Sequence, residues 1–322
     1  MKQYHRKIAV VFPGQGSQSV GMLAELYENF TVVRDTYQEA SDALAFDLWN
    51  ITANGPAEDL NQTVNTQPAM LVAGVACYRV LQTHIAQKQA DFVPAYFAGH
   101  SLGEYTALVA AGQLAFSDAV LLARKRAEAM QSAVPAGVGA MAAILGLDGD
   151  TINRVCSQTC TDDAKVWAAN DNAPGQIVIA GHKAAVEAAC EALKNAGAKR
   201  ALLLPVSVPS HCPLMQPAAN AMQAAFTMTN WQDATTPVIH NYDVAAHDKP
   251  SEIVTALTEQ LIKPVRWVET IQYFADHRIE AVIEVGPGKI LAGLNKRIDR
   301  NMGAKPLFDL ASLNEVVEFL AQ

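Results

Sequence analysis

Apolar positions along this chain fall into two alternating patterns, short unbroken runs and longer stretches at helical spacing. The runs at 8–12, 93–98, 236–240 and 280–285 predict core strands, because a strand covered on both faces reads as a continuous apolar segment. Helical spacing between such runs predicts a mainly parallel α/β sheet. Residues 137–207 read as a unit of their own. A strand is predicted at 139–146, a helix at about 150–160, and two short strands at 165–170 and 176–180. The linker Asp171-Asn172-Ala173-Pro174-Gly175 between those two strands is a strong turn signal. A helix at about 183–196 ends before Gly197, as a C-cap would, and a last strand covers 200–206. The order βαββαβ is that of a ferredoxin-like unit. The expected organisation is a large domain from 1–136 and 208–322 with a small domain, 137–207, inserted into it. A cleft between the two is the natural place for a site.

Composition narrows the function. Half of the 322 residues are hydrophobic and 17% are charged, which fits a globular enzyme better than a scaffold or a disordered chain. A net charge of −8 argues against general nucleic-acid binding. No apolar run reaches the length of a membrane span. The basic start Met1–Lys7 leads into Ile8–Phe12, a run too short for a signal-peptide core and better read as a first strand. Five scattered cysteines, an odd number, point to a reducing cytoplasm.

The chemistry centres on Gly99-His100-Ser101-Leu102-Gly103, between the apolar run ending at Ala98 and a predicted helix at 104–111. Gly-x-Ser-x-Gly at a strand-to-helix turn is the nucleophile elbow. A serine hydroxyl needs a base, and the chain has eight histidines. His5, His84, His247 and His277 sit in polar or terminal surroundings and read as surface residues, and His182 opens a helix. His100 adjoins the serine, but neighbouring side chains at a tight turn diverge. His211 and His240 remain, each just after an apolar strand. Pro209 and Pro213 stiffen the backbone around His211, which favours it as a base held in one orientation.

Arg126 falls on the apolar face formed by Ala119, Leu122, Ala123, Ala127 and Met130, on a helix that Ser117-Asp118 can cap. A guanidinium there needs a partner. It is either a structural salt bridge, an arginine reaching to the rim, or a fork for a substrate carboxylate. The loop Phe12-Pro13-Gly14-Gln15-Gly16-Ser17-Gln18 follows the first strand, but Ser19 stands where a dinucleotide fingerprint needs its third glycine. Such a loop can offer backbone N–H groups to an anion. Glu284–Lys289 is a strand-to-helix turn without P-loop spacing, and Cys156 and Cys160 lack the histidine partners of a metal site.

Together these segments resemble the malonyl-CoA:acyl-carrier-protein transacylase family of bacterial fatty-acid synthesis. The resemblance rests on 12–18, Thr66-Gln67-Pro68-Ala69, Gly99–Tyr105, Arg126, Pro174-Gly175-Gln176, Pro209–Cys212 and Glu284–Gly288, in that order along nearly the whole chain. It implies an α/β-hydrolase-like core with an inserted ferredoxin-like domain. It implies Ser101 as nucleophile, His211 as general base, and the backbone N–H groups of Gln15 and Leu102 as the oxyanion hole. Arg126 would clamp the malonyl carboxylate, and the backbone carbonyl of Gln260 would orient His211 in place of an acid. Malonyl-CoA and acyl carrier protein are the implied partners, without a cofactor. Because a carrier protein is acidic, docking would need a local basic patch, for which Lys289, Lys296, Arg297 and Arg300, with Lys199 and Arg200, are candidates.

Overall fold

The computed structural model describes residues 2–3, 6–206 and 208–322. His5, and Ser207 at the expected edge of the small unit, lie outside the described residues. The central sheet has five parallel strands in the order Gly303–Leu307, Ala281–Val285, Ile8–Phe12, Tyr96–Gly99 and Val238–Ile239. All four predicted core strands are in it. Three are shorter than expected, 280–285 by a single residue, and for the other two proline is the reason, since its ring cannot donate to a ladder. Pro94 lies before the strand that begins at Tyr96, and Pro237 sits just before Val238. Pro237 still accepts the Phe97 N–H through its carbonyl, at 2.8 Å.

Every residue of the strands Ile8–Phe12 and Ala281–Val285 is buried. Phe12 stands opposite Gly99 in the ladder, so the loops leaving these two strands emerge side by side at the carboxyl edge of the sheet. That edge is where parallel α/β sheets place their ligands. The helix Thr63–Gln87 packs against this core and is buried without a break from Thr66 to Cys77. By length and composition it matches a membrane span, contrary to the expectation from sequence. Asn65, Gln67 and Arg79 break its apolar run, which hid its overall hydropathy. Its burial in the protein core accounts for that hydropathy.

The second sheet has five strands in the order Val265–Arg266, Val166–Ala173, Gln176–His182, Gly139–Leu145 and Arg200–Leu203. The helices Gly149–Thr159 and Lys183–Asn195 close a separate core around Ile144, Ile152, Ile179, Val186 and Leu193. The element order βαββαβ read from sequence is the observed one, with the last strand stopping at Leu203, short of Pro205. One strand comes from elsewhere in the chain. Val265–Arg266 runs parallel to Asn170–Asp171 and ties the second sheet to the rest of the molecule. A two-residue strand has no periodicity to betray it in sequence.

Candidate active site

Ser101 occupies the turn between Tyr96–Gly99 and the helix Gly103–Ala110, with φ of 52°. A Cβ on Gly99 would lie 1.9 Å from the Gly103 carbonyl carbon, and one on Gly103 would lie 2.1 Å from the Phe12 oxygen. Neither position has room for a side chain, which is why the elbow needs glycine at both. A left-handed serine is strained by about 1–3 kcal/mol, and Asn241 holds it there. Asn241 Oδ1 accepts the Ser101 N–H at 2.7 Å while its Nδ2 donates to the Gly99 carbonyl at 2.7 Å.

Ser101 Oγ lies 2.7 Å from His211 Nε2. His211 Nδ1 lies 2.8 Å from the Gln260 carbonyl oxygen. A carbonyl only accepts, so Nδ1 carries the hydrogen and Nε2 turns its lone pair to the serine. Burial, with the Arg126 charge beside it, pushes His211 down to about 3. The imidazole is therefore neutral at physiological pH, the form a base requires.

The other candidate, His240, is fully buried beneath the elbow, with Nδ1 2.7 Å from Glu104 Oε1. His100 diverges from the serine as expected and meets Asn172 Oδ1 at 2.8 Å. The surface readings of three histidines need correction. His247 is mostly buried and pairs with Asp243 at 2.7 Å, His277 stacks on Tyr273 with centroids 3.9 Å apart, and His84 is half-buried against Phe30. Polar neighbours in sequence did not report the surfaces that these rings meet after folding.

Arg126 lies on the helix Phe116–Ser132 and is 1% exposed. That helix begins at Phe116, two or three residues before a cap at Ser117 or Asp118 would start it, and its N-cap is Ala115, which makes no side-chain cap. The burial rules out an arginine reaching to the rim. Arg126 Nη1 donates to Gln67 Oε1 at 2.9 Å, and Nη2 donates to Gln260 Oε1 and Ser101 Oγ, both at 3.0 Å. No carboxylate among the described residues makes an ion pair with it, and its Nε–H has no partner. Burial pulls its pKa down, opposed by Tyr105 and Glu104 nearby, but a guanidinium stays charged in protein surroundings. The site therefore contains a buried cation held by neutral oxygens, beside the serine hydroxyl.

Gly14 packs so closely on the elbow that a Cβ there would lie 2.4 Å from the His100 carbonyl oxygen. This brings Gln15 to the same edge as Leu102, the first residue of the turn into the helix Gly103–Ala110. Neither backbone N–H donates to protein among the described residues, whereas that of Ser101 is taken by Asn241. A cavity of about 300 Å³ is lined by Gln15, Thr63, Gln131, Val206 and Val208. A larger one, about 500 Å³, lies among Tyr27, Arg34 and Trp49 and touches none of these residues.

The six candidate cations are exposed and form no ion pair among the described residues. Arg297 donates to the Pro174 carbonyl at 3.1 Å and to Gln176 Oε1. Gly146, which a Cβ would press onto Lys199, donates its N–H to Gly175 at 2.8 Å. Arg297 and Lys199 therefore lie near one turn of the second sheet.

Sequence reasoning did not single out Asn241, Glu104 or the side chain of Gln260, and it gave Gln67 no role. These act across 134 to 159 residues, or 59 in the case of Gln67, and no local spacing signals such contacts.

Chemically, a neutral imidazole on a serine and a guanidinium free to take an anion can make and break an ester while holding a carboxylate. The chain belongs to the acyl transferase family, whose description, "Acyl transferase domain", matches residues 9–305. It is similar to the malonyl CoA-acyl carrier protein transacylase of Haemophilus influenzae, 52% identical over 98% of this chain and 99% of that one. The protein of the same name from Escherichia coli K12 is 49% identical over 97% and 99% of the two chains. Among solved structures, the malonyl CoA-acyl carrier protein transacylase of Coxiella burnetii superposes with a TM-score of 0.95 at 46% identity, covering 99% of both chains. A malonyl-transacylase in complex with its type II PKS acyl-carrier protein superposes with a TM-score of 0.93 at 47% identity, covering 97% of this chain and 99% of that one.

Proposed function

We propose that this enzyme moves a malonyl group from malonyl-CoA to the phosphopantetheine thiol of acyl carrier protein through an ester on Ser101, supplying fatty-acid elongation. The observation that carries the reading is the buried Arg126 guanidinium, without a carboxylate partner among the described residues, 3.0 Å from Ser101 Oγ. An acyl group on that oxygen places its own carboxylate within reach of the cation. His211 Nε2 takes the hydroxyl proton as Oγ attacks the thioester carbonyl. The tetrahedral intermediate puts charge on oxygen, where the N–H groups of Gln15 and Leu102 serve as donors, each typically worth about 2.7–4 kcal/mol. Collapse expels the CoA thiolate, which takes the proton back from Nε2. The carrier-protein thiol then gives its proton to Nε2 and attacks the ester, and Ser101 leaves and is reprotonated. The Gln260 carbonyl keeps the imidazole in the required tautomer throughout.

Every proton in this cycle is carried by His211, so the reaction needs no cofactor. Thioester, ester and thioester are close in energy, and the enzyme's main task is to keep water from the intermediate. The carrier protein docks on the patch formed by Lys289, Lys296, Arg297, Arg300, Lys199 and Arg200, at the edge of a ferredoxin-like small domain, 137–207. A reducing, cytoplasmic setting fits the five free cysteines, of which Cys77, Cys156, Cys190 and Cys212 are buried. Intact-protein mass spectrometry after brief mixing with malonyl-CoA or acetyl-CoA, without acceptor, tests the whole reading. A malonyl adduct on Ser101, much weaker with acetyl-CoA and discharged by carrier protein, is expected. Steady CoA release with no adduct would mark a hydrolase instead.

A further inference from the structure

Beneath Ser101 and Arg126 lies a group of buried polar side chains that the transfer steps leave unused: Glu104, His240, Asn241 and the amide of Gln260. The Gln260 amide nitrogen donates to the Ser101 carbonyl at 3.0 Å and to Glu104 Oε2 at 2.9 Å. A peptide carbonyl only accepts, and Glu104 Oε2 also accepts the Asn241 backbone N–H at 2.9 Å. Both contacts therefore require the nitrogen end of the amide. Its oxygen end is left facing Arg126 Nη2 at 3.0 Å. Turned over, the amide would set NH₂ against guanidinium and oxygen against carboxylate, two repulsive contacts in a fully buried place.

We infer that Glu104 is a positioning residue for acyl-group specificity, orienting the Gln260 amide so that Arg126 is held by neutral oxygens and keeps its charge for the acyl carboxylate. This rests on the reading of Arg126 given above. Gln67 Oε1 does the same for the other η nitrogen, at 2.9 Å. Glu104 makes no hydrogen bond to Arg126. The Gln260 amide stands between them, and the second carboxylate oxygen is engaged by His240 Nδ1 at 2.7 Å. Glu104 thus acts on the guanidinium by direction rather than by neutralising it. Through the Asn241 backbone it also steadies the residue that grips Ser101, but that effect is blind to the charge of the acyl group. The ratio of malonyl to acetyl acylation separates the two roles.

The test uses the full chain with Glu104→Ala, Glu104→Gln, Gln260→Met, the double variant Glu104→Ala/Gln260→Met, and Arg126→Ala as control. Thermal melts establish folding, and single-turnover acylation of Ser101 by malonyl-CoA and acetyl-CoA is read by mass. Glu104→Ala is expected to lower the malonyl preference by roughly tenfold or more, the scale of one charge-assisted hydrogen bond. Glu104→Gln should restore it to within about threefold, because its amide oxygen can accept both N–H groups. In the Gln260→Met background, Glu104→Ala should change the ratio no further. A folded Glu104→Ala that slows both acyl groups equally overturns the inference, as does an additive loss of ratio in the double variant. Should Glu104→Ala fail to fold, an intact preference in Gln260→Met overturns it alone. If Arg126→Ala itself leaves the ratio unchanged, the clamp and this inference fall together. If only Arg126→Ala changes it, the clamp stands and this inference falls.

Discussion

Replacing Arg126 by alanine removes the cation while leaving Ser101 and His211 in place. Of the five N–H donors of a guanidinium, three are engaged among the described residues, one with Gln67, one with Gln260 and one with Ser101 Oγ, which leaves two for a ligand, the Nε–H among them. A charge-assisted hydrogen bond is worth about 1.5–3 kcal/mol. At about 1.4 kcal/mol per factor of ten, losing one such bond slows malonyl acylation roughly ten- to hundredfold, and losing two slows it further. Acetyl has no carboxylate, so its acylation should fall much less. The substitution also strands the Gln67 and Gln260 amide oxygens in a buried place, at about 1–3 kcal/mol each, so the melting temperature must be measured beside the rates. Because the Arg126 charge is one of the causes holding His211 down, second to burial, the variant's acid limb should also move to higher pH. Rapid-quench acylation with malonyl-CoA and acetyl-CoA, in parallel, decides the matter. An equal loss for both acyl groups would refute the clamp.

Three further outcomes are expected. His211 is pushed down to about 3 by burial and by Arg126, and protonation removes the base, so activity is lost only as pH falls toward that value. Ser101 acylation should stay flat to about pH 5, and a midpoint near the ordinary histidine value of about 6.5 would contradict the burial argument. Gly103→Ala would press a Cβ to 2.1 Å from the Phe12 carbonyl oxygen, a backbone atom with little freedom to yield. Acylation should collapse and stability fall by about 1–3 kcal/mol, and a fully active variant with an unchanged melt would show that the elbow does not need this glycine. Charge reversal at Lys296 and Arg297 should raise the KM for carrier protein severalfold at low salt, less at high salt, and leave acylation by malonyl-CoA unchanged. An unchanged KM for carrier protein excludes the patch.

Much of this architecture is legible in sequence because its local signals are strong. The buried strands of a parallel sheet read as apolar runs, and the elbow declares itself by two glycines whose missing Cβ atoms the turn demands. Arg126 stands out because a charge on an apolar helical face has to be explained. What sequence withholds is who meets whom. His211 and His240 both follow apolar runs in the sequence, and only packing decides that Glu104 occupies one while Ser101 meets the other. The tie between the two sheets at Val265–Arg266 is too short to leave a pattern. The same limit governs the clamp. The chain carries 32 acidic residues, any of which could have neutralised Arg126. Glu104 comes within one amide of doing so, and Gln260 stands in the way. The charge offered to a substrate therefore depends as much on the neutral side chains around the arginine as on the arginine itself, a property of the assembled site that no single position along the chain encodes.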